Sequence, residues 1–205
     1  LNNVETIGDN FLSWCTKLSA IELSPLNKVT NIGSYFMSQC QKITFLNLYP
    51  LSNVETINNN CLYGCSALKN LNLSSLNKLR SMNNNCLHSC SSLTSIDFGP
   101  TSNINSIGQF FLAYCPSLKS VKFSANQNLT FLGGNFLYES RNVEYIKLPT
   151  IKTSFGGWGY ACASSVTNTK VLTINCGNAT AASAYMNDNT WNAITNTLQV
   201  SAASA

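Results

Sequence analysis

Nine cysteines, one histidine and eight acidic residues are the side chains in this 205-residue chain whose types suit catalysis or metal binding. Cys61/Cys65 and Cys86/Cys90 repeat a C-x₃-C spacing, which taken alone suggests a zinc site of thiolates. The other cysteines argue against it. Cys15, Cys40, Cys65, Cys90 and Cys115 recur with a constant period of 25, while Phe11, Phe36, Phe111 and Phe136 hold the place that Cys61 and Cys86 occupy elsewhere. A metal leaves the single cysteines at 15, 40 and 115 without a role, whereas an interior ladder of small apolar side chains accounts for all seven, so no metal ligand is assigned. Disulfides along such a ladder are disfavoured, because strands in register lie about 4.8 Å apart and a disulfide prefers Cβ atoms roughly 3.8 Å apart.

His88 would have to anchor any Ser-His-Asp or Cys-His catalysis. The equivalent places, one or more periods away, hold Ser13, Ser38, Tyr63, Ala113 and Tyr138, a mixture that reads as a tolerant, solvated position on the outer side of a coil. The eight acids form no repeated close pair of the kind glycoside hydrolysis needs. Gly156-Gly157 lacks the Lys-Ser/Thr end of a phosphate-cradling loop. No catalytic residue and no cofactor is assigned. The twelve Lys and Arg leave a net charge of +4 but form no dense stripe, so nucleic acid is not a predicted partner. No apolar run approaches the roughly 18 residues that span a membrane, and no signal segment is legible at the N-terminus.

What positions these residues is a repeat. Val4, Val29, Val54, Leu79, Ile104 and Leu129 recur with the same period as the cysteines, as do Leu12, Met37, Leu62, Leu87, Leu112 and Leu137, and Ile21, Leu46, Leu71, Ile96, Val121 and Ile146. So short a unit cannot enclose its own apolar side chains, but stacked units bury the same rows against one another, which makes a solenoid. The segment Leu18 to Leu23 ends in alternation with Ile21 and Leu23 inward, and predicts a short strand whose copies pair into a parallel sheet. Pro25, Pro50 and Pro100 lie just beyond three of these strands, where a missing donor ends the ladder at little cost. On the opposite side of the coil, Asn10 to Cys15 has an apolar spacing of four and predicts a single helical or 3₁₀ turn. Gly8, Gly33, Asn58, Asn83, Gly108 and Gly133 share one place in the unit. Gly and Asn accept positive φ most readily, so a left-handed turn is predicted there six times. Asn58/Asn83 and Asn60/Asn85 predict amide ladders between units. A charged fraction of 10% beside 29 Asn fits a shared core covered mostly by uncharged polar groups.

The pattern L-x-x-I-x-L-x-P, six residues, then I-G-x-x-F-x-x-x-C, read from Leu18 through Cys40, resembles the BspA-type leucine-rich repeat, and six copies cover residues 1–150. The resemblance implies an α/β repeat fold: a β-rich, right-handed solenoid with a parallel sheet on its concave face and short helical or 3₁₀ turns on the convex side. It also implies an extracellular or cell-surface setting in bacteria or protozoa, where several such proteins act as adhesins for host proteins. After Leu148 the period breaks. Val171, Ile174 and Cys176 predict a seventh strand in a unit lengthened by three residues, with Phe155 to Tyr160 in its irregular turn. Ala179 to Met186 predicts a helix, and Tyr185, Trp191, Ile194 and Leu198 resemble the closing segment of the family, folded over the last open core edge. One solenoid domain results, with six units over 1–150 and an irregular seventh unit and cap over 151–205. Residue 1 falls after the strand of its unit, which predicts a trimmed chain, an upstream domain or an edge covered in an oligomer. Nothing in the pattern specifies an oligomeric state.

A ligand has the outward rows of the sheet to bind. Strand alternation puts Ala20, Phe45, Asn70, Ser95, Ser120 and Tyr145 on the concave face. Two places on come Glu22, Asn47, Asn72, Asp97, Lys122 and Lys147, graded from acid to base in a way that would orient a polar partner. The inward rows are already aliphatic, so Phe45, Tyr49 and Tyr145 are predicted to be exposed rings and the anchors of the site. The chain therefore reads as a non-catalytic recognition module for a host or cell-surface protein or a polysaccharide, held on these nine residues. The alternative is a structural spacer that presents another domain and has no ligand on this face.

Overall fold

The computed structural model describes residues 3–99, 103–123, 129–151, 171–176 and 198–202. Each unit is one coil, and the coils stack through two parallel sheets where the sequence predicts one. The first sheet holds β1 (Thr6–Ile7), β2 (Asn31–Ile32), β3 (Thr56–Ile57), β5 (Ser81–Met82), β7 (Ser106–Ile107) and β9 (Phe131–Leu132), side by side in that order. The second holds β4 (Asn70–Asn72), β6 (Ser95–Asp97), β8 (Ser120–Lys122), β10 (Tyr145–Ile151), β11 (Val171–Cys176) and β12 (Leu198–Ala202). The ladders keep the repeat in register: Ile7 faces Ile32, Ile32 faces Ile57, and Ile96 faces Val121. The apolar rows fill the interior, where Val29, Ile43, Val54, Leu68, Phe111 and Leu118 retain no accessible surface. Each such side chain contributes about 1.5–3 kcal/mol relative to exposure. In the first unit Val4, Leu12, Cys15, Leu18 and Ile21 are covered only in part.

The predicted strands of the second sheet begin at the third unit. Segments 20–22 and 45–47 pair with no strand, and in those two units the chain turns directly into 3₁₀ helices Ser24–Leu26 and Tyr49–Leu51. Pro25 and Pro50 sit in the first turn, where their fixed φ suits the helix and their missing N–H costs nothing. These are the only helical turns among the described residues, and they follow the strand position instead of lying opposite it.

Asn10 to Cys15 corrects a second expectation, since it is neither helical nor 3₁₀. Asn10, Leu12 and Trp14 are left-handed, with φ of 62°, 53° and 62°, and the same three places are left-handed in each described unit that follows, through Glu139. The cause is burial: adjacent pairs such as Phe36–Met37, Cys61–Leu62 and Phe111–Leu112 are both inside, which strand alternation forbids. Each left-handed non-glycine costs roughly 1–2 kcal/mol. Burial and hydrogen bonds between coils offset that cost. Asn10 N–H donates to Ser34 O (2.8 Å) and Trp14 N–H to Ser38 O (2.7 Å) in the next coil, while Met37 N–H donates back to Phe11 O (2.8 Å).

The row expected to be left-handed, Gly8, Gly33, Asn58, Asn83, Gly108 and Gly133, is not. At Gly33, Gly108 and Gly133 glycine instead leaves room for the preceding coil, whereas a Cβ on Gly8 would meet nothing within 4 Å. A Cβ on Gly33 would lie 2.5 Å from the Gly8 carbonyl carbon, and one on Gly133 would lie 2.4 Å from the Gln109 nitrogen. Where the row carries Asn, the predicted ladder forms: Asn83 Nδ2 donates to Asn58 Oδ1 (3.1 Å), and Asn58 Nδ2 to Ile32 O (3.0 Å). The Asn60/Asn85 ladder does not form.

At the C-terminal end the seventh strand is present as β11, parallel to β10. Tyr145 faces Val171 and Leu148 faces Ile174, so Val171 continues the row of Tyr145 and not, as expected, that of Val143, and the register shifts again before Ile151 faces Cys176. Leu198 opens β12, which adds a further parallel strand through Ile174 facing Val200, rather than folding over the core edge. Phe155 to Tyr160, Ala179 to Met186, Trp191 and Ile194 lie outside the described residues.

Candidate functional site

The second sheet and the two 3₁₀ turns beside it carry the predicted ligand face. Phe45 and Tyr49 stand well out of it, at 69% and 74% exposure. Glu22, Asn47, Asn72 and Lys122 are also exposed, while Asp97 and Tyr145 are half-buried. The acid-to-base row has a second task that the sequence reading missed. Its acceptors tie down the turn that follows: Ser24 N–H donates to Glu22 Oε1 (2.8 Å), Tyr49 N–H to Asn47 Oδ1 (3.1 Å), Ser74 N–H to Asn72 Oδ1 (2.8 Å) and Gly99 N–H to Asp97 Oδ1 (2.7 Å). Asp97 Oδ2 also accepts Lys122 Nζ at 3.0 Å, a bond that raises the lysine pKa and cancels the middle of the charge gradient. Lys147 lies opposite Lys122 in the ladder, with its side chain outside the described part. One coil thus brings Phe45, Asn47 and Tyr49 together. Asp97, Lys122 and Tyr145 fall two, three and four coils away, the last about 19 Å off at about 4.8 Å per coil.

The seven described cysteines carry free thiols, and four of them share one hydrogen-bonding role. Cys40, Cys65, Cys90 and Cys115 donate from Sγ to Leu12 O, Met37 O, Leu62 O and Leu87 O, each at 3.2 Å. All four acceptors belong to left-handed residues of the preceding coil. Ser140 takes the next place in the row, donating to Leu112 O at 2.7 Å and accepting Cys115 N–H at 2.8 Å. Burial pushes the Cys40 thiol up to about 11 and those of Cys65, Cys86 and Cys115 up to about 12. The thiols of Cys61 and Cys90 are raised as well. Protonated and enclosed, they are poor nucleophiles and poor ligands. Among the described residues no cluster of His, Cys, Asp and Glu is placed to hold a metal ion.

His88 is not the solvated imidazole its row suggests. It is half-buried, stacked on Tyr63 (centroids 4.8 Å apart, planes 13° from parallel) and tilted against Tyr114 at 5.1 Å. Its Nδ1 lies 2.7 Å from Ser89 Oγ, and burial lowers its pKa by disfavouring the charged ring. Beside it runs a groove of about 370 Å³ lined by Trp14, Tyr35, Ser38, Gln39, Asn60, Tyr63, Asn85 and His88. Sequence reading missed this groove because its rings occupy three different places in the repeat, so no single row is aromatic.

No helix among the described residues is long and apolar enough to cross a membrane. No curated protein matches the chain. The fold is similar to that of a leucine-rich repeat protein from Bacteroides ovatus, with a TM-score of 0.61 and 22% identity over 86% of this chain and 48% of that one. This chain therefore spans about half the length of that protein. The family model for the BspA type leucine-rich repeat region matches in six copies, over residues 1–101, 47–167 and 82–195. Those ranges run through every coil of the solenoid, and the chain belongs to the BspA-type leucine-rich repeat family.

Proposed function

We propose that the chain is a non-catalytic recognition module of a secreted or cell-surface protein, and that it binds a partner protein on the face bearing Phe45 and Tyr49. The exposure of these two rings carries the reading: 69% and 74% of two large apolar side chains face water on a surface whose inward rows are already satisfied by aliphatics. Aromatic anchors of this kind, rimmed by polar groups, are the usual centre of an interface of about 800 Å² per partner. Asn47 between them, with Glu22 and Asn72 on the adjacent coils, supplies that rim, and Asp97, Lys122, Lys147 and Tyr145 extend it. The family resemblance supports taking this face as the concave side of a right-handed coil, and supports the surface setting. Residues 151–205 belong to the same proposal as an irregular seventh unit and cap, supported by the continuation of the sheet through β11 and β12.

The test is surface plasmon resonance of the whole chain against immobilised host extracellular-matrix proteins. Binding to one of them is expected, with at least a tenfold loss in a Phe45→Ala/Tyr49→Ala double variant and a smaller loss in Tyr145→Ala. Absence of binding, or an unaltered Kd in the double variant, would leave the face without a ligand and make the chain a spacer.

A further inference from the structure

We infer that the groove on the turn face, at Trp14, Tyr35, Tyr63 and His88, is a second binding site and that its ligand is a neutral oligosaccharide. The groove crosses four coils and combines ring faces with side-chain amides. Trp14 is 68% exposed and Tyr35 44%, and Tyr63 and His88 continue the aromatic surface as a stacked pair. Asn60 and Asn85, both left-handed at φ 58°, line the same groove, and their amides make no side-chain hydrogen bond among the described residues. Each amide offers two donors and an acceptor. None of the lining residues is Asp, Glu, Lys or Arg, and burial disfavours a charge on His88.

That combination selects its ligand. A sugar ring presents polarised C–H bonds on one face, which meet the negative face of an aromatic ring, and hydroxyls at its edge, each a donor and an acceptor that an amide can match. A polyanion finds no cation in the groove. A peptide strand finds no free edge, because the backbone beside the groove is already spent between coils, as in Tyr35 N–H to Asn59 O (2.8 Å) and Gln39 N–H to Tyr63 O (2.6 Å). The volume, about 370 Å³, lies at the size of a small-molecule cleft, and its lining runs over four successive coils, which suits a short run of sugars.

Affinity electrophoresis of the whole chain through gels containing mannan, a soluble β-glucan, galactomannan or xyloglucan, with heparin as a polyanionic control, tests the inference. Retardation by at least one neutral polysaccharide and none by heparin is expected. The repeat supplies variants that keep the fold: Trp14→Gly copies Gly64 and relieves a left-handed backbone, and Tyr35→Asn copies Asn10, Asn60 and Asn85. Each is expected to weaken the retardation at least tenfold with no fall in Tm, while Phe45→Ala/Tyr49→Ala leaves it unchanged. Retardation by none of the neutral polysaccharides, retardation by heparin alone, or retardation that survives both groove variants or vanishes in the Phe45/Tyr49 variant overturns it.

Discussion

A thiol is a weak donor, yet in this solenoid it adds a second hydrogen bond between coils at the carbonyl of a left-handed residue. The carbonyl of left-handed Leu62 accepts Cys65 N–H at 3.3 Å within its own coil and Cys90 Sγ at 3.2 Å from the next. A residue for that place must be small, mostly apolar and able to donate one hydrogen bond, which describes Cys first and Ser second. Cys90→Ser should therefore cost no more than about 1 kcal/mol in urea unfolding, as Ser140 performs the same task. Cys90→Val loses the donor and adds volume, and should cost about 1–3 kcal/mol. Equal stability of the two variants would reduce the row to filler. Burial of these cysteines was legible from their period alone. The donor role was not, although Ser140 at the end of the row was a visible signal: a purely apolar ladder would have no use for a hydroxyl.

Among the elements, the turn after each strand separates two residues that share one outward row. Asn72 accepts the N–H of Ser74 and holds the chain as it leaves β4, whereas Lys122 contributes an exposed ion pair with Asp97. Asn72→Ala should lower stability by about 0.5–1.5 kcal/mol. Lys122→Ala should leave the unfolding curve unchanged within error, because both partners are about half exposed. Equilibrium unfolding of the two variants checks the pair, and a larger loss at Lys122 would refute the assignment. Sequence reading found the row by alternation but could not see that its short acceptors fold back on their own backbone. It erred in the opposite sense at Gly33 and Gly108, where a preference for positive φ pointed to a turn and the actual demand is room for the neighbouring coil. Of the true left-handed places, the first holds Asn at 10, 60, 85 and 135, which propensity could have nominated, but the second holds Leu or Met throughout, which it could not. Burial of two adjacent side chains overrides local preference there.

At the scale of the molecule, the period of 25 made the coil and its core legible, because stacking is the one way so many equivalent apolar residues can be enclosed. The two-residue strands of the first sheet escaped notice, since two residues are too few to show alternation. Enclosure also sets the response to pH. The unfolded thiols ionise near 9, while the folded ones stay protonated up to about 11 at Cys40 and about 12 at Cys65, Cys86 and Cys115. Below about 9 the two states bind equal numbers of thiol protons. Above it the unfolded state binds fewer, so the stability these groups contribute is lost as the pH rises toward their folded values. Thermal melts should show Tm falling from pH 9 upward, and Cys115→Ser should make the decline shallower. An unchanged slope in that variant would count against the thiols as its source. The alternating hydrogen bonds of the turn face have a consequence for how such a chain acquires its length. Coils donate both forward and backward, and each bond links neighbouring coils at fixed places in the repeat, so any coil can be copied or excised as a block one period long and the flanking pair will still match donor to acceptor. Length can then change by whole units through duplication inside the stack, with the coils on either side left as they were.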